Sequence, residues 1–207
     1  MELLYQDQDI AVCVKPVGVE SEKELPGLLT QQIRGEVYPL HRLDLNVGGV
    51  MVFARNKAAA SKLSAQIARG EMVKEYLAMV KGAPEDAGTW EDFLFKDSRK
   101  NKVFVVKKER AGVKKAKLAY RVLEKGENSL VHIRLFTGRS HQIRVQFASR
   151  GYPLLGDHKY GARDDNKNPL LFSCRITFVH KGKEMTFSAL PEFAQGITLE
   201  EFLWEQN

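Results

Sequence analysis

Tyr38-Pro39-Leu40-His41-Arg42-Leu43-Asp44-Leu45-Asn46-Val47-Gly48-Gly49 runs straight into Val50-Met51-Val52-Phe53-Ala54. The second part is an unbroken apolar run of strand length and reads as a buried strand. The first part holds three polar side chains that no helix or strand period explains. Pro39 on one side and Gly48-Gly49 on the other mark a backbone shaped to present Asp44. Asp44 therefore sits in a rigid turn leading into a strand that the core holds in place. A carboxylate presented between a His and an Arg is a candidate nucleophile or base. Taken alone, the tetrapeptide is more simply read as a surface ion pair that contributes little.

A second cluster shifts that balance. Thr137-Gly138-Arg139-Ser140-His141-Gln142-Ile143-Arg144 is again polar and cationic, follows a strand, and lies about ninety residues downstream. Three further pieces accompany these two: Val14-Lys15-Pro16-Val17-Gly18, Lys74-Glu75-Tyr76-Leu77-Ala78, and the glycine-bracketed Gly151-Tyr152-Pro153-Leu154-Leu155-Gly156-Asp157-His158-Lys159-Tyr160-Gly161. With all five in this order across roughly residues 10 to 161, the chain resembles the RluA-type pseudouridine synthases. One short motif arises easily by chance; five in order do not.

The bulk properties agree. A chain of 207 residues can hold one domain with a full core or two small ones. The net charge is +6 and the isoelectric point about 9.2, which suits an acidic partner such as nucleic acid. Solubility alone would explain +6, but the charge is unevenly placed. From Arg99 to Arg121 there are ten Lys or Arg against the single acid Glu109, a net of +9 that leaves about −3 for the rest. Cys13 and Cys174 have no CxxC or metal-type neighbours, and Cys13 lies in the apolar run Ile10–Val14 as core filling. That fits a reducing compartment. The N-terminus lacks a basic n-region and a long apolar run, so neither a signal peptide nor a membrane span is expected, and the expected location is the cytoplasm.

The periodicity predicts strands at 10–14, 50–54, 73–80, 118–123 and 130–136, with a closing hairpin of 170–179 and 184–189 around Lys181-Gly182. It predicts helices near 28–33, over 57–69 between an Asn56 cap and Gly70, and over 140–150 with Ser140 as N-cap. A short helix is expected after Pro191. Residues 81–117 read as a hairpin with basic tips. On the strand at 73–80, Tyr76 falls opposite the stripe of Val73, Leu77 and Met79, which suits an exposed aromatic platform. Strands outnumber helices and turns are short. The expectation is one α+β domain over residues 1–207, with a mixed, mainly antiparallel sheet flanked by helices and loops. No separate N-terminal RNA-binding (S4-like) module is expected, and a monomer is the default expectation.

The resemblance implies isomerisation of uridine to pseudouridine in rRNA or tRNA, with no cofactor and no metal. It makes Asp44 the catalytic carboxylate, Arg144 its ion-pair partner, and Tyr76 the ring that stacks on uracil and takes part in proton transfer at C5. Attack at C1′, addition at C6 and removal of a 2′-proton all remain open as the role of Asp44. Ile143 would pack against the base, Arg42 would fill the gap left by the extruded uridine, and Arg139 and His141 would lie on the substrate side. Lys15 is placed there too, bracing rather than reacting. Lys107, Lys108, Lys114 and Lys115 are the candidate RNA-phosphate contacts. One departure stands out: Val47 and Gly48 replace the hydroxyl residues usual after the Asp, and Asn46 is the candidate to compensate. Two other readings compete. One is a non-catalytic RNA-binding protein on the same scaffold, which would not need a carboxylate near phosphate. The other is a metal-dependent hydrolase using His41 and His141 with Asp44 or Asp157, although neither HxH nor HExxH spacing occurs.

Overall fold

The structure is a computed structural model and describes residues 1–198 and Trp204. In chain order the elements are β1 (Glu2–Gln6), β2 (Ile10–Lys15), α1 (Glu24–Ile33), β3 (Tyr38–Pro39), β4 (Gly48–Ala54), α2 (Lys57–Arg69) and β5 (Val73–Lys81). There follow β6 (Ala87–Asp97), β7 (Lys102–Val106), β8 (Val113–Glu124), β9 (Asn128–Leu135), α3 (Gln142–Ala148), β10 (Leu171–His180) and β11 (Lys183–Ser188). The strands form a single sheet in the order β1-β2-β4-β10-β5-β9-β8-β6-β7, with β11 beside β10 and β3 beside β4. Among the described residues only β10 and β4 pair in parallel, Phe172 opposite Gly48 and Ser173 opposite Gly49. The α+β expectation and its mainly antiparallel sheet hold.

The central strands are apolar because both faces of the sheet are covered. Along β2, Ala11 and Cys13 enter one hydrophobic cluster with α1 and α3, while Ile10 and Val12 enter another with Leu63 of α2. All seven residues of β4 are buried. This arrangement also corrects the placement of Tyr76. Its strand face is not the exposed one: Tyr76, Ala78 and Val80 belong to the larger cluster, and Tyr76 is 7% exposed. Alternation along β5 separates two covered faces rather than core from solvent.

α2 runs between the expected ends, with the Asn56 side chain accepting from the Ala59 N–H at 2.9 Å and Gly70 in the left-handed conformation. α1 starts earlier than its apolar pattern suggests. Pro26 lies in its first turn, where a missing N–H costs no helical hydrogen bond. α3 is shorter than expected and Ser140 does not cap it. His141 occupies the cap position at φ +50°, and the Gln142 side chain instead accepts from the Arg139 N–H and the Thr137 hydroxyl. Residues 81–117 are more regular than a basic-tipped hairpin, since β6, β7 and the start of β8 pair throughout. After Pro191 there is one short 3-10 turn at Glu192–Ala194, and the remainder of the expected C-terminal helix lies outside the described residues apart from 195–198 and Trp204.

Candidate active site

The loop before β4 is fixed through its backbone carbonyls, by one bond of its own and three from the segment 15–21. The Val47 N–H donates to the Asp44 carbonyl at 3.0 Å, and the Ser21 hydroxyl donates to the Leu43 carbonyl at 2.9 Å. The Gly18 N–H and the Lys15 ammonium both donate to the Leu45 carbonyl, at 2.9 and 3.2 Å. These bonds do the work for which hydroxyls at 47 and 48 seemed necessary. Asn46 is exposed, and Val47 is buried in the core instead. Gly49 anchors the other end. At φ +131°, a Cβ there would collide with the backbone of Ser173 on β10, so only glycine lets the two strands meet.

Asp44 and Arg144 are brought together as the motif order implies. Arg144 Nη1 donates to Asp44 Oδ2 at 2.8 Å, across a hundred residues of sequence. The other edge of the guanidinium is held by Asp157, Nε to Oδ2 at 2.7 Å and Nη2 to Oδ1 at 2.8 Å. Arg144 is 8% exposed and Asp157 1%. Burial penalises the Arg144 cation, but its bonds to Asp157 and Asp44 outweigh this and hold its pKa above the usual arginine value. A fork fixed by one bidentate partner presents its remaining N–H in a single direction. His141 Nε2 lies 3.8 Å from Asp44, and its Nδ1 is 2.8 Å from the Tyr160 hydroxyl. Tyr160 in turn accepts from the Val103 N–H and lies under the Arg144 guanidinium, which ties the site to β7. Burial lowers the His141 pKa, with Asp44 opposing.

Three cavities meet at Asp44. A cleft of about 770 Å³ includes Tyr76, Lys74 and Phe136; a cavity of about 430 Å³ includes Asp157 and Lys159; between them a niche of about 60 Å³ is walled by Tyr76, Ile143 and Arg144. Ile143 is 3% exposed and faces Tyr76 across this niche. Burial raises the Tyr76 pKa, opposed by a hydrogen bond with Ser173 and reinforced by Asp44, so its hydroxyl keeps its proton at neutral pH. His41 lines the large cleft, but its Nε2 is occupied by the Val52 N–H at 3.2 Å, and burial, then Lys74, pulls its pKa down to about 3.

Arg42 stands exposed at the mouth of all three cavities, 2.9 Å from Glu22. Arg139 is exposed and its Nε donates to the Lys115 carbonyl at 2.9 Å, linking the second motif to the basic strand β8. Lys107, Lys108, Lys114 and Lys115 are all exposed. Lys15 does not lie on the substrate side. It is fully buried, and its ammonium donates to the carbonyls of Pro16, Val19 and Leu45, so it braces the Asp44 loop from behind. Burial lowers its pKa to about 8, partly offset by Asp44, Glu20 and Glu24. His41 and His141 do not form a metal-type group. Among the described residues that spacing occurs at Asp7, Asp9 and His180, where Lys181 already sets an ammonium 2.8 Å from Asp7 and 3.3 Å from Asp9. The turn holding Asp157 and Tyr160 was expected to support the site, but neither the Asp157 clamp on Arg144 nor the Tyr160 bonds were foreseen, and Ser21 was missed altogether. The glycines around Asp157 signalled a shaped loop but not its partner.

A family model described as RNA pseudouridylate synthase matches residues 9–149. The chain belongs to this family. The dual-specificity RNA pseudouridine synthase RluA of Escherichia coli (strain K12) is 35% identical over 211 residues, covering 92% of this chain and 93% of that protein. The tRNA pseudouridine synthase C of Vibrio cholerae is 29% identical over 240 residues, covering 100% and 98%. Among solved structures, human RNA pseudouridylate synthase domain containing 4 superposes with a TM-score of 0.78 at 25% identity, over 93% of this chain and 89% of that one. This pseudouridine synthase is thus an isomerase that converts uridine in RNA to pseudouridine, on the fold the motifs implied.

Proposed function

We propose that this enzyme modifies uridine in rRNA or tRNA, with Asp44 as the catalytic carboxylate and Arg144 and Tyr76 as its partners. The reaction breaks the N1–C1′ bond, turns the uracil, joins C5 to C1′, and moves one proton from C5 to N1. Atoms balance within the nucleotide, so no external reagent is required. What the protein must supply is an ionised carboxylate at the nucleoside, a surface for the detached ring, and a path for the proton. The observation that carries the assignment is the Asp157–Arg144–Asp44 chain of bonds, which aims one cation at Asp44 and leaves the carboxylate facing the cavities. Tyr76 and Ile143 enclose the niche in which a uracil would lie. Since the Tyr76 phenol stays protonated, it can pass the C5 proton along as a donor and acceptor, but does not begin as a phenolate base.

Arg42, exposed where it lines the cavities, would occupy the stack that the uridine leaves. The exposed lysines of the β7–β8 region, Lys107, Lys108, Lys114 and Lys115, would meet phosphate, joined to the site through Arg139. All three central residues come from one chain, which supports a monomer as the working unit. The name of the Vibrio cholerae relative supports tRNA as one substrate class. The test is tritium release from RNA labelled at uracil C5, comparing wild type with Asp44→Asn. Release by wild type alone supports the assignment; release by both removes Asp44 from its role.

A further inference from the structure

The 770 Å³ cleft extends beyond the groups that a target uridine needs. From Asp44 and Tyr76 it continues past Lys74 and Phe136 to the last turn of α2. Lys74 lies two residues before Tyr76 on β5 and therefore on the same face, about 7 Å along the strand. It pairs in register with Leu135 at the end of β9, one residue before Phe136. A Cβ on Gly138 would lie 3.6 Å from the Lys74 ammonium, an ordinary contact distance, so the second motif's glycine stands directly beside this cation.

The two residues are unusual in complementary ways. Lys74 is partly buried, and burial lowers its pKa with no carboxylate opposing the shift among the described residues. An unneutralised, desolvated cation in a cleft is completed by an anion. Phe136 is 47% exposed, with Lys117 and Arg134 at 5.5 and 5.6 Å from its ring centre. A lone exposed Phe needs no explanation. An exposed ring, flanked by cations and sharing a cleft with an ammonium that has no carboxylate partner among the described residues, is the combination that binds single-stranded nucleic acid.

Resting on the function proposed above, we infer that Lys74 and Phe136 form a subsite for the nucleotide adjacent to the target uridine, Lys74 taking its phosphate and Phe136 the face of its base. The subsite explains why the cleft is larger than its catalytic end. It also makes the neighbour's stacking part of substrate choice, independent of which base it is, because every base offers a face.

The test measures tritium release from C5-labelled bulk tRNA and rRNA, and filter binding of the same RNAs over a range of salt. Phe136→Leu keeps apolar volume but removes the ring. It should weaken binding and raise KM about tenfold while kcat stays near wild type. Phe136→Tyr should restore both, which a merely structural role for the position would not require. Lys74→Gln should reduce the slope of log affinity against log salt by about 0.7, and Lys74→Arg should recover it. Lys74→Met gives the same slope measurement if the Gln variant does not fold. Wild-type affinity in Phe136→Leu, or an unchanged slope in Lys74→Gln, overturns the subsite. Absence of tritium release from wild type counts against the proposed function instead, and the binding measurements still decide the subsite.

Discussion

Two groups of charge in this protein are built in opposite ways. Around Asp44, Arg144 and Asp157 the charges are few and largely buried, and each named donor of the guanidinium has an assigned acceptor. Between Arg99 and Arg121 the charges are many, nearly all of one sign, and the four lysines singled out are exposed. In the first group low dielectric makes each bond strong and each loss expensive. In the second, water and salt screen every charge, so the group works by sum rather than by position. The difference separates chemistry from capture: one cluster fixes an atom, the other gathers a polyanion.

Single substitutions should therefore divide the two regions sharply. Asp44→Asn is nearly isosteric and should lower tritium release by roughly 10^4-fold or more while RNA affinity stays near wild type. Because Asp44 is more exposed than Asp157 and Arg144 keeps its bidentate partner, melting temperature should fall less than in Asp157→Asn. Tyr76→Phe keeps the ring and loses the hydroxyl; a fall in kcat of roughly 10²- to 10⁴-fold with little change in KM is expected. A drop confined to KM would make Tyr76 a stacking surface only. Asp157→Asn tests whether the clamp is as important as the group it aims. It leaves a buried cation short of its partner, which should cost about 3 kcal/mol. That corresponds to roughly 6–12 °C in melting temperature for a chain of this size. Displacing Arg144 should slow turnover by about 10²-fold. Unchanged stability in that variant would break the contrast drawn here.

The exposed group should behave otherwise. Replacing Lys107, Lys108, Lys114 and Lys115 together by Gln should leave kcat and melting temperature near wild type. RNA affinity at moderate salt should fall by between ten- and a hundredfold, with the salt slope reduced by about 3. A fall in kcat would place one of these lysines inside the chemistry.

The smallest effect concerns His41, which is neutral in the folded protein because burial pulls its pKa to about 3 from an ordinary 6.5. Between those values the unfolded chain binds a proton that the folded chain does not. Stability from this group is therefore present above 6.5 and lost as the pH falls toward 3. From pH 7 to pH 5 the loss should be about 2 kcal/mol. Melting curves of wild type and His41→Gln should show a weaker acid dependence in the variant; parallel curves would mean that His41 is protonated without penalty.

How much of this could be read from residues alone depends on how local the signal was. Asn56 and Gly70 bracket α2 by side-chain and backbone chemistry within a turn of the helix, and both ends were legible. The apolar runs of β2 and β4 were legible because strands covered on both faces need no alternation. The same double covering misled the reading of Tyr76, whose face looked polar beside Leu77 only because Lys74 shares it. Asp44 and Arg144 were each legible as motifs, but their pairing came only from the family resemblance, since a hundred residues separate them and no local pattern joins them. Asp157 was hidden for the same reason: a glycine-bracketed loop shows that the backbone is shaped, not which side chain it serves. Lys15 was expected to brace the site, and it does, but from behind the Asp44 loop rather than from the substrate side, because three backbone carbonyls turn it inward.

β10 is nearly the last strand in sequence and among the most central in the sheet, inserted between β4 and β5. Asp44 precedes the first of these neighbours and Tyr76 lies on the second, yet the two strands are joined only when residues 171–180 pair with both. Roughly ninety residues are synthesised after β5 before that happens. A nascent chain leaving the ribosome thus carries Asp44 and Tyr76 long before it carries the site, and non-local pairing of this kind forms late. Synthesis of β10 therefore acts as a checkpoint: a product released before residues 171–180, even with every motif intact, should leave the RNA around it unmodified.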